Sequence, residues 1–221
     1  MSKFIYPSDD RIPGTEGAIA AYRHRFSTDH FIMLKNFVGP ELLAAIQPII
    51  ETAEFESESY QDVGSEFRMV ANMAQDALSL LAIDRNLLDF VQEISDCGPV
   101  NCFRGRIYKL IADPQHTFGW HNDLNDACRR VTMSINLSLG EYQGGELQIR
   151  ETRSGKVVSE IANTGLGDAV LFPIFPEFEH RVLPVRGDRA KIAFSGWFKA
   201  EPGLDAPLPW LAAESARVSG R

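Results

Sequence analysis

Cysteine is scarce in this chain. There are three in 221 residues, Cys97, Cys102 and Cys128, with no C-x-x-C pair and no Cys/His spacing of a zinc site. An odd number of thiols, behind an N-terminus without a basic stretch followed by an apolar one, points to reduced cysteines in a cytoplasm. No run approaches the roughly 20 apolar residues of a membrane span. Positive charge is not in excess either: 22 Lys and Arg stand against 30 Asp and Glu, a net charge of −8. That excludes a nucleic-acid backbone or an anionic membrane as the main partner, since both need a basic footprint. The chain also has no internal repeat and no low-complexity tract.

A hydrophobic content of 44% and a charged content of 24% are those of an ordinary globular protein. The length suits one domain, 1–221, divided into a helical support region (1–100), a β core (101–199) and a tail (200–221). Residues 1–14, with Pro7, Pro13 and Gly14, read as an irregular lead-in. Helices are expected at Thr15–Phe26, from Gly39-Pro40-Glu41 onward with Pro in the first turn, over Phe67–Leu81, and after an Asp84 cap. His30–Phe37 reads as a short strand and Glu54–Gly64 as a polar, mobile loop. From Asn101 the period changes to two, with strands expected at 103–111, 117–121, 131–139, 145–151, 156–161, 168–173, 179–185 and 189–199. The fold class is therefore mainly β with N-terminal helices: a jelly-roll barrel with the helices packed on one sheet.

Period two also sorts the faces. Val131, Met133, Ile135, Leu137 and Leu139 alternate with Arg130, Thr132, Ser134, Asn136 and Ser138. Phe103, Ile107 and Ile111 oppose Arg104, Arg106 and Tyr108. Three amphipathic helices need an apolar sheet face to cover, which turns the polar face into the barrel and makes its interior a binding cavity.

The chemistry gathers at Trp120-His121-Asn122-Asp123. His121 and Asp123, two apart, point to the same side of an extended strand. His180 supplies a third ligand from elsewhere. Two imidazoles and one carboxylate that leave open positions are the donor set of a non-heme Fe(II) oxygenase. The other histidines with no such context, His24, His30 and His116, read as surface or structural. Trp120, Trp197, Phe172 and Phe198 read as core packing. Gly144-Gly145 reads as a turn or bulge with positive φ.

Six segments, W-H-N-D (120–123), R-V-T-M-S-I-N-L-S (130–138), G-G-E-L (144–147), G-D-A-V-L-F-P (167–173), H-R-V-L-P-V (180–185) and R-A-K-I-A-F-S-G-W-F (189–198), resemble in order and spacing the 2-oxoglutarate/Fe(II)-dependent dioxygenases, their prolyl-4-hydroxylase-like branch in particular. The resemblance implies a double-stranded β-helix, Fe(II) on His121, Asp123 and His180, and 2-oxoglutarate and O2 as co-substrates; it also admits ascorbate. It implies that Arg189 binds the distal carboxylate of 2-oxoglutarate, a match of planar fork to carboxylate. Tyr108 and Asn136 occupy family positions for a second hydrogen bond. Lys191 stands where many members carry Ser or Thr; it either adds a second positive charge or is turned away by a bulge. With Asp123 in place, hydroxylation rather than halogenation is implied. The substrate expected is a small amino-acid-like molecule or a peptidyl residue, its anionic group held by Arg104 or Arg106 unless these pair with acids of loops 54–66 or 122–126. Two other readings stay open: a cupin-like metal enzyme that does not use 2-oxoglutarate, and a non-catalytic ligand-binding or sensor jelly roll.

Overall fold

The computed structural model describes residues 16–162 and 164–200; the lead-in at 1–14 and the tail at 202–221 lie outside them. The chain runs α1 (Glu16–Asp29), β1 (Ile32–Leu34), α2 (Pro40–Glu51), β2 (Phe55–Tyr60), β3 (Gly64–Met69), α3 (Met73–Ala82) and α4 (Arg85–Ser95). Ten strands follow: β4 (Cys102–Leu110), β5 (Phe118–His121), β6 (Arg129–Asn136), β7 (Gln143–Gly144), β8 (Leu147–Glu151), β9 (Val157–Ile161), β10 (Ala169–Pro173), β11 (Phe178–Val182), β12 (Val185–Arg186) and β13 (Lys191–Lys199). The main sheet has the order β1-β10-β6-β13-β4-β3-β5-β11-β8-β9, with β2 paired on β3, and β12 pairs separately with β7. This is the jelly roll read from the sequence.

The helices form where their caps and stripes lie. Asp84 accepts from the Asn86 amide at 2.9 Å, and Leu87, Leu88, Phe90, Val91 and Ile94 form one buried stripe of α4. That stripe shares a core with Phe103, Ile107, Val131, Met133, Ile135, Phe194 and Phe198, the apolar face of β4, β6 and β13. Each such side chain, fully buried, contributes about 1.5–3 kcal/mol. The polar face of the same strands is thereby left to line the interior. Asp168 pins β1 to the turn before β10: its carboxylate accepts from Lys35 Nζ at 2.7 Å and from the Asn36 and Gly165 amides at 2.8 Å each.

One stretch departs from the expectation. Residues 54–64 are not a loop and 67–72 are not helical: β2 and β3 form an antiparallel hairpin, and the helix starts at Met73, capped by Asn72, whose side chain accepts from the Ala74 amide at 3.0 Å. The polar run Phe55-Glu-Ser-Glu-Ser-Tyr60 is a strand because its partner β3 continues onto β4 through Phe67 and Arg68. Tertiary pairing overrides its low β-propensity. Gly64, at φ 147 and crowded by the Thr117 carbonyl, permits the close approach of β3 to β5.

Candidate metal and co-substrate site

His121 ends β5 and His180 lies in the middle of β11, and the two are paired residues in the ladder. Asp123 follows two residues after His121, in the left-handed conformation at φ 58, which turns its carboxylate back toward both rings. Its Oδ2 is 3.4 Å from His180 Nε2 and its Oδ1 is 4.0 Å from His121 Nε2. One ligand atom of each residue falls within 4.8 Å of the other two. A metal with bonds of about 2 Å fits among three such atoms.

The electrostatics suit a cation. Burial, with help from the neighbouring His180, pushes the His121 pKa down and favours the neutral ring that a metal needs. Its Nδ1 lies 2.8 Å from the Gly119 carbonyl; with the proton on Nδ1, Nε2 is a free lone pair. Burial works to raise the Asp123 pKa, but the His180 hydrogen bond, the two histidines and the Trp197 indole outweigh it and hold the carboxyl well below its usual range. Trp197 Nε1 donates to Asp123 Oδ2 at 2.8 Å and Arg129 Nη1 donates to Oδ1 at 3.1 Å. Trp197, which the sequence suggests as core packing, is thus part of the site; Phe198 is core, as expected.

Behind the three ligands a narrow cavity runs between the sheets, lined by Arg106, Tyr108, Thr132, Ser134, Phe172, Lys191 and Ser195 among others. Apart from Phe172 of β10, these are the polar-face residues of β4, β6 and β13. Lys191 is the cation of this cavity. It is 8% exposed, and its Nζ donates to the Gly145 carbonyl at 2.7 Å. Burial pushes its pKa down to about 8, with Glu146 opposing. Tyr108 is buried and bonds to Ser134, and burial raises its pKa, so the phenol remains a donor. Thr132 Oγ1 is buried with no hydrogen-bond partner, although it lines the cavity. A buried orphan hydroxyl calls for a ligand atom.

Arg189 does not reach this cavity. The ladders of β13 begin at Lys191, so the inward alternation does not extend back to 189. Arg189 is exposed, and its guanidinium lies over Gly140. Asn136 is buried but faces a second, smaller cavity on the far side of Lys191; its amide donates to the Thr164 carbonyl at 2.6 Å and accepts from the Ser138 amide at 3.0 Å. Arg106 does point inward, yet it already has an anion. Glu66, fully buried on β3, takes a hydrogen bond from Arg106 Nε and a second from Nη2 at 3.0 Å, and a third at 2.8 Å from the Tyr60 hydroxyl. Arg104 is exposed and lines neither the inner cavity nor the outer pocket. Glu66 falls within 54–66, the stretch whose acids the sequence offers as partners of Arg106.

In front of the ligands the site opens into a pocket of about 690 Å³. The hairpin residues Ser59–Gln61 and Val63 form one wall, Phe118 and Trp197 another, and Asn122, Leu124 and Asn125 the rim.

Residues 106–199 match the model of the 2OG-Fe(II) oxygenase superfamily. No curated protein matches the sequence. Solved structures share the fold. A prolyl-4-hydroxylase from Pseudomonas putida is 17% identical with a TM-score of 0.62, over 83% of this chain and 100% of that one. A prolyl hydroxylase from Trichoplax adhaerens, solved with a hypoxia inducible factor peptide fragment, is 15% identical with a TM-score of 0.64, over 83% and 90%. The epimerase SnoN, solved with Fe3+, alpha ketoglutarate and nogalamycin RO, is 12% identical with a TM-score of 0.61, over 84% of each chain. The β core, residues 106–199, thus matches the 2OG-Fe(II) oxygenase superfamily, and the chain has the fold that prolyl hydroxylases share. That match supports an oxygenase that uses Fe(II) and 2-oxoglutarate over the non-catalytic barrel and the cupin-like alternative. Among the described residues no helix is long and apolar enough to cross a membrane.

Proposed function

We propose that this oxygenase holds Fe(II) through His121, Asp123 and His180 and hydroxylates a C–H bond of a substrate seated in the outer pocket. The observation that carries the reading is the convergence of those three ligand atoms at one end of a cavity whose other end holds a buried ammonium. Iron bound there supplies the activation of O2 that couples the decarboxylation of 2-oxoglutarate to substrate oxidation.

The chain's own residues do the rest. Lys191, not Arg189, meets the distal carboxylate of 2-oxoglutarate, and the Tyr108 phenol and the orphan Thr132 hydroxyl are donors along its length. An ammonium is a point charge with three donors, one already on Gly145, so it anchors a carboxylate without the fork a guanidinium offers. Phe118, Phe172 and Val182 close the walls and keep water from the reacting atoms.

The pocket also bears on the substrate. Its volume lies within the range of drug-sized ligand sites and exceeds what a free amino acid fills. The charges on its walls are already matched: Arg106 by Glu66, Arg129 by Asp123 and Asp126, and Glu179 by Arg150. An inward charge that has its counter-ion offers nothing to an anion. The reacting end of the substrate is therefore uncharged, and a peptidyl residue or a bulky small molecule fits better than a free amino acid. The test is succinate formation from 2-oxoglutarate with Fe(II), screened against blocked peptides, bulky neutral compounds and free amino acids. Stimulation by free amino acids alone overturns the substrate reading; no succinate from wild type under any condition overturns the reaction itself.

A further inference from the structure

Arg129 opens β6 and sits between the outer pocket and Asp123. Its guanidinium lies over the Trp197 indole, with Cζ 3.6 Å from the ring centroid. From that plane Nη1 donates to Asp123 Oδ1 at 3.1 Å and to Asn125 Oδ1 at 2.9 Å, and reaches the Asp123 carbonyl at 3.4 Å. The indole beneath it donates Nε1–H to the other oxygen, Oδ2, at 2.8 Å. Two stacked planes thus hold the two oxygens of one carboxylate. Arg129 Nε is buried without a hydrogen-bond partner, and the nearest acid oxygen, of Asp126, is 3.8 Å away. The guanidinium is oriented to serve Asp123 at the cost of its own third donor. Asp123 needs such a hold, because a non-glycine residue at φ 58 sits in a sparsely populated region.

We infer that Arg129 is a positioning residue: with Trp197 it fixes the direction of the Asp123 carboxylate toward the metal, and a lone pair remains on each oxygen. The inference rests on the metal site proposed above. It makes a prediction of definite sign. A guanidinium beside a cation site repels the cation, so if charge were its only contribution, removing it would tighten metal binding. If it positions Asp123, removing it weakens binding.

The experiment measures Mn(II) affinity by electron paramagnetic resonance, and the visible spectrum of the Co(II)-loaded protein, for wild type, Arg129→Gln, Arg129→Lys and Asp123→Ala. Thermal unfolding of the metal-free proteins checks the fold. Arg181→Gln, which breaks a different arginine–tryptophan stack, is the control. Loss of a partner that orients a ligand weakens metal binding about 10–100-fold. That loss is expected for Arg129→Gln with an altered Co(II) spectrum, and Arg129→Lys, which keeps the charge but not the plane, is expected to fall with it. Wild-type or tighter binding by Arg129→Gln overturns the inference, and so does rescue by Lys. If Arg129→Gln does not fold, Trp197→Phe keeps the ring and removes only the Nε1–H; it carries the same expectation and the same overturning result. Asp123→Ala separates the two levels: if it binds Mn(II) as wild type does, the metal site itself fails.

Discussion

Two tryptophans of this chain carry arginines on their faces, and the two assemblies do different work. On the part of the main sheet formed by β5, β11 and β8, Trp120 has Arg150 4.3 Å from its centroid and Arg181 at 4.5 Å. Arg150 pairs with Glu179 at 2.6 Å, Arg181 bonds Gln148, and both ends reach solvent. On the inner side Trp197 carries Arg129, and both donors point to Asp123. Residue types alone do not tell the stacks apart. What differs is the side of the sheet: Trp120 precedes His121, so strand alternation turns it away from the site that His121 enters. An arginine–tryptophan pair facing water is a surface ladder worth little, whereas one facing a metal-binding carboxylate sets its geometry.

The largest break in this contrast comes from the ligands themselves. His180→Ala is expected to lower metal affinity by more than about 100-fold, beyond the effect of any residue that only orients a ligand. Isothermal titration with Mn(II) checks it. Retention of metal by this variant would place the ion elsewhere and remove the distinction between inner and outer stacks.

The next effect separates Lys191 from Arg189. Losing a buried, charge-assisted partner costs about 2–5 kcal/mol, so Lys191→Met is expected to abolish measurable 2-oxoglutarate binding while metal affinity stays. Arg189→Ala, at an exposed site, should change it by no more than about 0.5 kcal/mol. The reverse ranking in a competition assay sinks the Lys191 assignment.

These two residues show what the sequence could carry. The jelly roll and the inward polar face were legible, because period two is a local signal, and the three side chains named as ligands, His121, Asp123 and His180, do come together in the fold. Of the two roles the sequence offers Lys191, a second positive charge in the site or a side chain turned away by a bulge, the structure has it lining the cavity. What misled was extending the last strand back to Arg189: where a ladder starts depends on pairing with β4 and β6, and a fixed offset from His180 does not encode that. The β2–β3 hairpin was missed for a related reason. Its polar strand is held by a neighbour distant in sequence; the alternative that Arg106 pairs with an acid of 54–66 is nevertheless the one the structure shows, through Glu66. Arg129 and Trp197 were invisible as a pair because only the fold brings residues 68 apart onto one carboxylate.

Lys191 also gives a pH dependence. Its pKa in the folded chain is about 8, below the 10.5 of an exposed lysine. Below pH 8 folded and unfolded chains are both protonated there, and the cost of the buried charge is fully present. Between pH 8 and 10.5 the unfolded chain binds the extra proton, so stability rises with pH in that window. Binding of 2-oxoglutarate goes the other way. A carboxylate prefers the ammonium, so affinity falls by up to about tenfold per pH unit above 8. Lys191→Met removes the stability trend; a flat pH profile of binding in wild type would mean that a group with a higher pKa holds the carboxylate.

The smallest effect is expected on the outer stack, and it tests the contrast from its weaker side. Arg181→Ala removes one guanidinium from Trp120 and the bond from its Nε to Gln148 at 2.8 Å. Gln148 Nε2 keeps its bond to Glu160 on β9, and only the Oε1 acceptor is released. An exposed cation–π contact is worth about 0.5–1 kcal/mol, and salt screens what remains of the charge interactions. The thermal midpoint should therefore drop by a few degrees, about 2–4 °C for a domain of this size, and the drop should shrink at high ionic strength. Metal and 2-oxoglutarate affinities should stay as in wild type, because Trp120 and its arginines point away from His121. A loss of metal affinity comparable to that of Arg129→Gln would show that β5 and β11 transmit strain from Trp120 to His121, and the two stacks would then be one mechanical unit.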